Sequence, residues 1–261
     1  MRVAVVQHDI VWEDREATFA RLAPRIEAAA GAGARIVLLS ETFSTGFSMR
    51  TEVTAEPEGG PSSKFLAAQA KEHGVWVGGS CPEVRAEGEA PHNTFVLAGP
   101  DGTQHRYRKL HRFGYGGEDA KFSAGTEPVT VTVEGLRVTL FVCYDLRFAD
   151  DWWVAAPGTD AYLCVANWPT PRRHHWRALL LARAIENQAY VVACNRVGRG
   201  GGKLDYAGDS MIVDPMGEVL ASAAGGEALL VADVDPARVA QVRAEFPFLS
   251  DRDEVARLLG R

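Results

Sequence analysis

Positive charge is not in excess in this sequence, cysteine is scarce, and apolar residues nowhere run on for long. With 28 Lys and Arg against 34 Asp and Glu the formal charge is −6, which leaves no electrostatic footprint for nucleic acid or an anionic lipid surface. No segment approaches the roughly 18 consecutive apolar residues of a membrane span, so no membrane partner is expected. The four cysteines, Cys81, Cys143, Cys164 and Cys194, stand far apart without paired or metal-ligand spacing, which argues against a disulfide framework or a zinc site. Met1 to Gln7 starts directly as a strand with no charged leader and no cleavage site. A reducing cytoplasm is the expected setting, and small molecules are the expected partners.

What is present is an alternation of strand and helix signals. Asp14 to Gly31 reads as an amphipathic helix ending at glycine, and Ser62 to His73 repeats the pattern, capped by Ser62 or Ser63 and closed by Gly74. Val75 to Gly79, Thr94 to Ala98 and Thr103 to Arg108 fit a meander, the last two joined by Gly99-Pro100-Asp101-Gly102. Thr130 to Val133 and Leu136 to Val142 form a hairpin across Glu134-Gly135. Further strands are expected at Tyr162 to Ala166, Tyr190 to Asn195, Ser210 to Val213, Val219 to Ala221 and Ala228 to Val234. A helix is expected from Arg173 to Asn187, and Asp235-Pro236 starts a last one with proline at the first helical position. The short glycine-rich segments Gly114 to Gly117 and Gly198 to Gly202 lie between strong apolar segments and read as loops beside a site, so one domain is expected over 1–261. Strands this apolar suit an α/β fold with sheets covered on both faces, and an ordinary doubly wound fold equally well.

Three strand ends carry chemistry. Val138 to Val142 is an apolar run that stops at Cys143, Ala34 to Leu39 delivers Glu41, and the polar-aromatic stretch Thr103 to Arg108 delivers Lys109. The C-terminal ends of strands are where α/β proteins build sites. Singly, the cysteine is also compatible with a small core residue and the Glu and Lys with solvated strand ends. Together they are a coherent set. A thiol ionises near ~8.5 and needs a base or a positive field to attack at neutral pH. A carboxylate taken out of water holds a proton more readily, which suits Glu41 to take the thiol proton and later hand it to a leaving amine.

Glu41, Lys109 and Cys143, in that order and inside their local motifs, resemble the catalytic triad of the nitrilase superfamily, the carbon–nitrogen hydrolases. Asn167-Trp168-Pro169 to His175-Trp176, Ala182 to Val191, Asn195-Arg196-Val197-Gly198 and Gly208-Asp209-Ser210 resemble its ω-amidase branch, and the likeness runs from the first strand to about Val234. The resemblance implies a four-layer α-β-β-α sandwich and release of ammonia from a short dicarboxylic acid monoamide through a thioester on Cys143. It makes Glu41 the base and assigns the oxyanion to Lys109 with the backbone N–H of Tyr144. Glu118 becomes the second glutamate, holding Lys109; read from the residues alone it is an exposed acid in a glycine-rich loop. No cofactor or metal is required by this chemistry.

The far carboxylate of such a substrate suits arginine, whose planar fork pairs with it bidentately. Arg172 and Trp168 are the nominated pocket residues, with Phe43 and Tyr144 as flanking walls; Arg172 is equally compatible with a surface charge, and Phe43 and Tyr144 with core positions. Asp145 and Arg147 are expected to brace the turn after the cysteine. His174-His175 are adjacent on a helix, point in different directions and lack a second His or Cys pair, so they read as structural rather than metal-binding. Arg183 and Glu186, three apart, are expected to pair, and in dimeric members of the resembled family this helix contributes to the subunit interface, so a homodimer is expected. The alternatives are a nitrilase or aliphatic amidase with the same triad and a catalytically silent binding or scaffold member; a serine amidase built on Ser62-Ser63-Lys64 is disfavoured because that patch reads as a helix start.

Overall fold

The computed structural model describes residues 1–201 and 204–252; Gly202 of the expected loop and residues 253–261 of the expected domain lie outside them. Two mixed sheets stack face to face. The first is built from β1 (Arg2–Gln7), β2 (Ile36–Leu38), β3 (Glu56–Pro57), β4 (Trp76–Val84), β5 (His92–Ala98) and β6 (Gln104–Arg108). The second takes β7 (Val129–Val133), β8 (Leu136–Val142), β9 (Ala161–Ala166), β10 (Tyr190–Asn195), β11 (Val197–Gly200), β12 (Leu204–Val213) and β13 (Val219–Ala224), after which β14 (Ala228–Asp233) returns to the first. Their orders are β14-β1-β2-β4-β5-β6 with β3 beside β4, and β11-β12-β10-β9-β8-β7 with β13 beside β12.

The two-residue period of the strands decides what each face meets. Val3, Val5, Ile36 and Leu38 share one apolar cluster with Leu140, Val142, Leu163 and Val165 of the opposite sheet. Their sequence neighbours Ala4, Val6, Val37 and Leu39 pack with Leu22 and Ile26 of α1 (Arg15–Gly31), which precedes the single turn α2 (Thr51–Thr54), and with Leu66 and Ala70 of α3 (Pro61–His73). On the second sheet α4 (Ala149–Ala155) buries Trp152 and α5 (Arg173–Asn187) buries Trp176, Leu180 and Ala184. The result is the expected α-β-β-α sandwich. The final helix α6 (Pro236–Glu245) tucks Val239 and Val242 inward. No described helix is long and apolar enough to cross a membrane.

Local sequence accounts for most of the element ends. Asp14 caps α1 by accepting from Ala17 N at 3.0 Å, and Asp235 caps α6 through Ala237 N at 2.9 Å. The β7–β8 hairpin turns through Glu134 and Gly135, both left-handed at φ 46° and 89°, the pairing that two-residue turns between twisted strands require. The cap of α3 departs from expectation. Its N-cap is Gly60, with Pro61 at the first turn and no side-chain cap. Ser62 and Ser63 are already helical, and their hydroxyls are spent on Ser44 Oγ at 2.7 Å and Glu83 Oε1 at 2.5 Å. They are fully buried and do not line the large cavity described below.

Each sheet has a parallel centre, β1-β2-β4 in one and β8-β9-β10 in the other. The C-terminal ends of these strands, with the end of β6, carry the residues of the site.

Candidate active site

Strand β2 ends in a tight turn in which Thr42 takes φ 39°, a costly conformation for a β-branched residue. The turn sends neighbouring side chains to opposite sides of the sheet. Glu41, 1 % exposed, points toward the second sheet, where Asn167 at the end of β9 meets it: Asn167 N donates to Glu41 Oε2 at 2.8 Å, and Asn167 Nδ2 donates to the Glu41 carbonyl at 2.9 Å. Phe43 goes the other way. It is fully buried, with its ring centroid 6.1 Å from each of Phe19 and Phe65, and Gly79 leaves it room, since a Cβ there would stand 2.9 Å from the ring. Phe43 is therefore a core residue and not a wall of the cavity, because the turn at Thr42 reverses the side on which it falls.

Lys109 follows β6 and is held by its neighbours on three sides. Its backbone N–H donates to the Asn93 carbonyl at 3.0 Å and its carbonyl accepts from Gly125 N at 2.8 Å. Gly125 must be glycine, because a Cβ would lie 2.0 Å from the Arg108 carbonyl oxygen. The ammonium, 1 % exposed, donates to Glu41 Oε1 at 2.9 Å and to both Glu118 oxygens at 3.1 and 2.9 Å. Burial alone would lower its pKa, but Glu118 and Glu41 outweigh burial and hold it well above the ordinary lysine value. Glu118 is fully buried on a 3-10 turn and also accepts from Phe113 N at 2.6 Å. The reading of it as an exposed loop acid is thereby excluded.

Cys143, half-buried, ends β8 in a left-handed conformation with φ 48°. The backbone reverses sharply there into a 3-10 turn over Cys143–Arg147, which leaves the first N–H groups of the turn, that of Tyr144 included, without an intrahelical partner. Asp145 braces the turn as expected: Oδ2 accepts from Tyr107 Oη at 2.7 Å and Val142 N at 3.0 Å, and Oδ1 from His111 N at 2.9 Å. Burial pushes the Asp145 carboxyl up to about 6 against the pull of Lys109 and these donors. The Cys143 thiol is pushed well above its usual range by burial and then by Glu41, with Lys109 opposing. The other cysteines, Cys81, Cys164 and Cys194, are free, buried core residues.

These groups open onto one cavity of about 310 Å³, a size suited to a small ligand. Glu41, Lys109 and Cys143 lie on its wall, joined by Tyr144, Trp168 and Arg172. Trp168 is fixed through its backbone, its N–H donating to Asn195 Oδ1 at 2.8 Å, and through its indole, which donates to the Arg172 carbonyl at 2.8 Å. The Arg172 guanidinium stands 5.4 Å from the centroid of the Phe113 ring. Arg147 lines the cavity as well, stacked 4.6 Å over Trp168 with Nη2 donating to His175 Nδ1 at 3.2 Å; it is a wall residue rather than a brace. Arg183 and Glu186 pair at 2.7 Å as expected. Among the described residues no group of His, Cys, Asp or Glu is arranged to hold a metal ion.

Residues 2–244 match the carbon–nitrogen hydrolase family. The chain belongs to that family. Carbon–nitrogen hydrolases act on C–N bonds, and this hydrolase is 36 % identical over 97 % of both chains to the ω-amidase YafV of Escherichia coli K12. It is 34 % identical to the 2-oxoglutaramate amidase of Bacillus subtilis strain 168, over 84 % of this chain and 85 % of that one. Among solved structures, a CN-hydrolase superfamily protein from Xanthomonas campestris with an arsenic adduct in its active site superposes with a TM-score of 0.90 at 36 % identity, over 96 % of each chain. These relatives support an amidohydrolase activity for this carbon–nitrogen hydrolase.

Proposed function

We propose that this carbon–nitrogen hydrolase is an ω-amidase, releasing ammonia from the terminal amide of a short dicarboxylic acid monoamide such as α-ketoglutaramate or α-ketosuccinamate. The observation that carries the reading is the convergence of Cys143, Glu41 and Lys109 on a cavity whose wall also holds two arginines, Arg147 and Arg172. The names of the relatives from Escherichia coli and Bacillus subtilis agree with it.

In this mechanism the Cys143 proton passes to Glu41 as sulfur attacks the amide carbon, so the thiolate is generated only at the moment of reaction. The tetrahedral oxyanion is met by the Lys109 ammonium and the Tyr144 N–H. Protonated Glu41 returns its proton to the departing amine, ammonia leaves, and a thioester remains. A water molecule, deprotonated by Glu41, then attacks the thioester carbon and releases the acid and the thiol. Glu118 keeps Lys109 charged and in place. Lone-pair bookkeeping separates the two acids. Glu118 takes donors on both oxygens, from Lys109 Nζ, Asn93 Nδ2 and Phe113 N, filling its four acceptor positions, whereas among the described residues Glu41 keeps a vacancy and is the one placed to accept a proton.

Arg172, with Trp168 and Arg147 beside it, binds the remote carboxylate. Arg172→Ala is expected to lower kcat/KM for α-ketoglutaramate about 10- to 100-fold, mostly through KM, because a charged hydrogen-bonded partner is lost. An unchanged KM would remove Arg172 from the pocket's function. The test of the reading itself is ammonia release from α-ketoglutaramate, α-ketosuccinamate, glutamine and a simple aliphatic nitrile. Release from the keto-amides alone supports the ω-amidase; turnover of the nitrile replaces it with a nitrilase using the same triad.

The same proposal takes the chain as one cytoplasmic domain that forms a homodimer. Ile185 on α5 and Phe246 after α6 are exposed apolar side chains, 50 % and 58 % accessible, and Gln188 Nε2 ties the two elements together through the Phe246 carbonyl at 2.7 Å. Sedimentation velocity at micromolar concentration giving a monomer would overturn the dimer.

A further inference from the structure

Asn93 belongs to none of the motifs that mark the triad, yet its side chain touches both acids. It sits 1 % exposed near the start of β5, and its Nδ2 donates to Glu41 Oε1 at 2.8 Å and to Glu118 Oε1 at 3.1 Å. Its Oδ1 is buried with no partner among the described residues. The amide is thus oriented entirely by the two carboxylates: turned over, it would aim an acceptor at two anions, and leaving one neutral acceptor unmade is the cheaper arrangement.

Counting acceptor positions on Glu41 gives this contact a function. Oε1 is filled by Lys109 Nζ at 2.9 Å and Asn93 Nδ2. Oε2 takes one donor, Asn167 N at 2.8 Å. A carboxylate oxygen offers two lone-pair directions, so among the described residues the single open position on Glu41 is on Oε2. We propose that Asn93 is a positioning residue that, with Lys109, blocks Oε1 of Glu41 and one position on Glu118, so that the Cys143 proton has one destination, Glu41 Oε2. The step is a transfer of one proton from Sγ to Oε2 while the sulfur electron pair forms the bond to the amide carbon. This inference rests on the triad assignment above.

Two variants of the full-length protein test it, each checked for folding by thermal unfolding and assayed for ammonia release from α-ketoglutaramate between pH 5 and 9. Asn93→Leu keeps the volume and removes both donors. Each carboxylate then gains an open position and its ionised form loses a partner. The expected result is a fall of about 10- to 100-fold in kcat/KM at neutral pH with KM within about threefold, and an acid limb moved to higher pH by about one unit. Asn93→Asp keeps the shape and can donate only when protonated, so its activity relative to wild type should rise as pH falls, opposite to Asn93→Leu; it also carries the test alone should the leucine variant not fold. Losses by the same factor at every pH, or no loss, would overturn the role of Asn93. Failure of the functional reading looks different: the wild type would then release no ammonia, or Cys143→Ala would release it as fast as wild type.

Discussion

Replacing Cys143 by alanine should lower ammonia release from α-ketoglutaramate by at least about 10⁴-fold, because in the proposed mechanism the sulfur forms the bond on which both halves of the reaction depend and, among the described residues, no other group lining the cavity is a nucleophile of comparable strength. The fold should be untouched. The exchange removes one sulfur at the wall of a cavity rather than inside packed core, and alanine meets the same left-handed backbone that the cysteine already tolerates at φ 48°. Thermal unfolding within a few degrees of wild type, together with loss of turnover, is the expected pair of results; full turnover in this variant would remove Cys143 from the chemistry.

Glu41→Gln should be slower by about 10²–10⁴-fold, with acylation and deacylation both affected, since in the proposed mechanism one carboxyl serves both. The amide cannot take the thiol proton, and it cannot settle comfortably either. Every donor around Glu41 points at it, Lys109 and Asn93 at Oε1 and Asn167 N at Oε2, so either orientation of the glutamine amide sets an N–H against another donor. A single-turnover measurement of thioester formation, followed by its decay, separates the two halves. Unaltered decay would mean that another group activates the water.

Much of this was legible because strands deliver their last residues to predictable places. Apolar runs ending at Cys143 and near Glu41, and a polar one ending before Lys109, are visible without coordinates, as are the helix starts at Asp14 and Asp235. Glu118 was not visible from its surroundings alone. It stands in a glycine-rich loop that on polarity reads as exposed, and its burial is explained by the donors the fold gathers around it, Lys109, Asn93 and the nearby Phe113 N–H. Phe43, nominated as a wall because it flanks Glu41 and equally compatible with core, falls in the core because the turn at Thr42 separates its side from that of Glu41. Neither Ser62 nor Ser63 caps α3, because the helix already starts at Pro61 with Gly60 as its N-cap and both serines lie inside the first turn. Asn93 was missed although a signal existed. The turn at Gly99 to Gly102 sets the register that pairs Thr94 with Arg108, and one step further along the hairpin lies Asn93 opposite Lys109.

The contact between Glu41 and Asn167 joins the end of a strand in one sheet to the end of a strand in the other, and Lys109 and Cys143 are divided between the sheets in the same way. Neither half of the sandwich owns a working set of groups. On the proposed mechanism the seam between the sheets is therefore also the tolerance of the chemistry: a slip of about 1 Å there, too small to expose much core, would separate acid from thiol. Such a protein is expected to lose its chemistry before it loses its shape, which would make its activity a finer gauge of how the two sheets are seated than any measure of secondary structure.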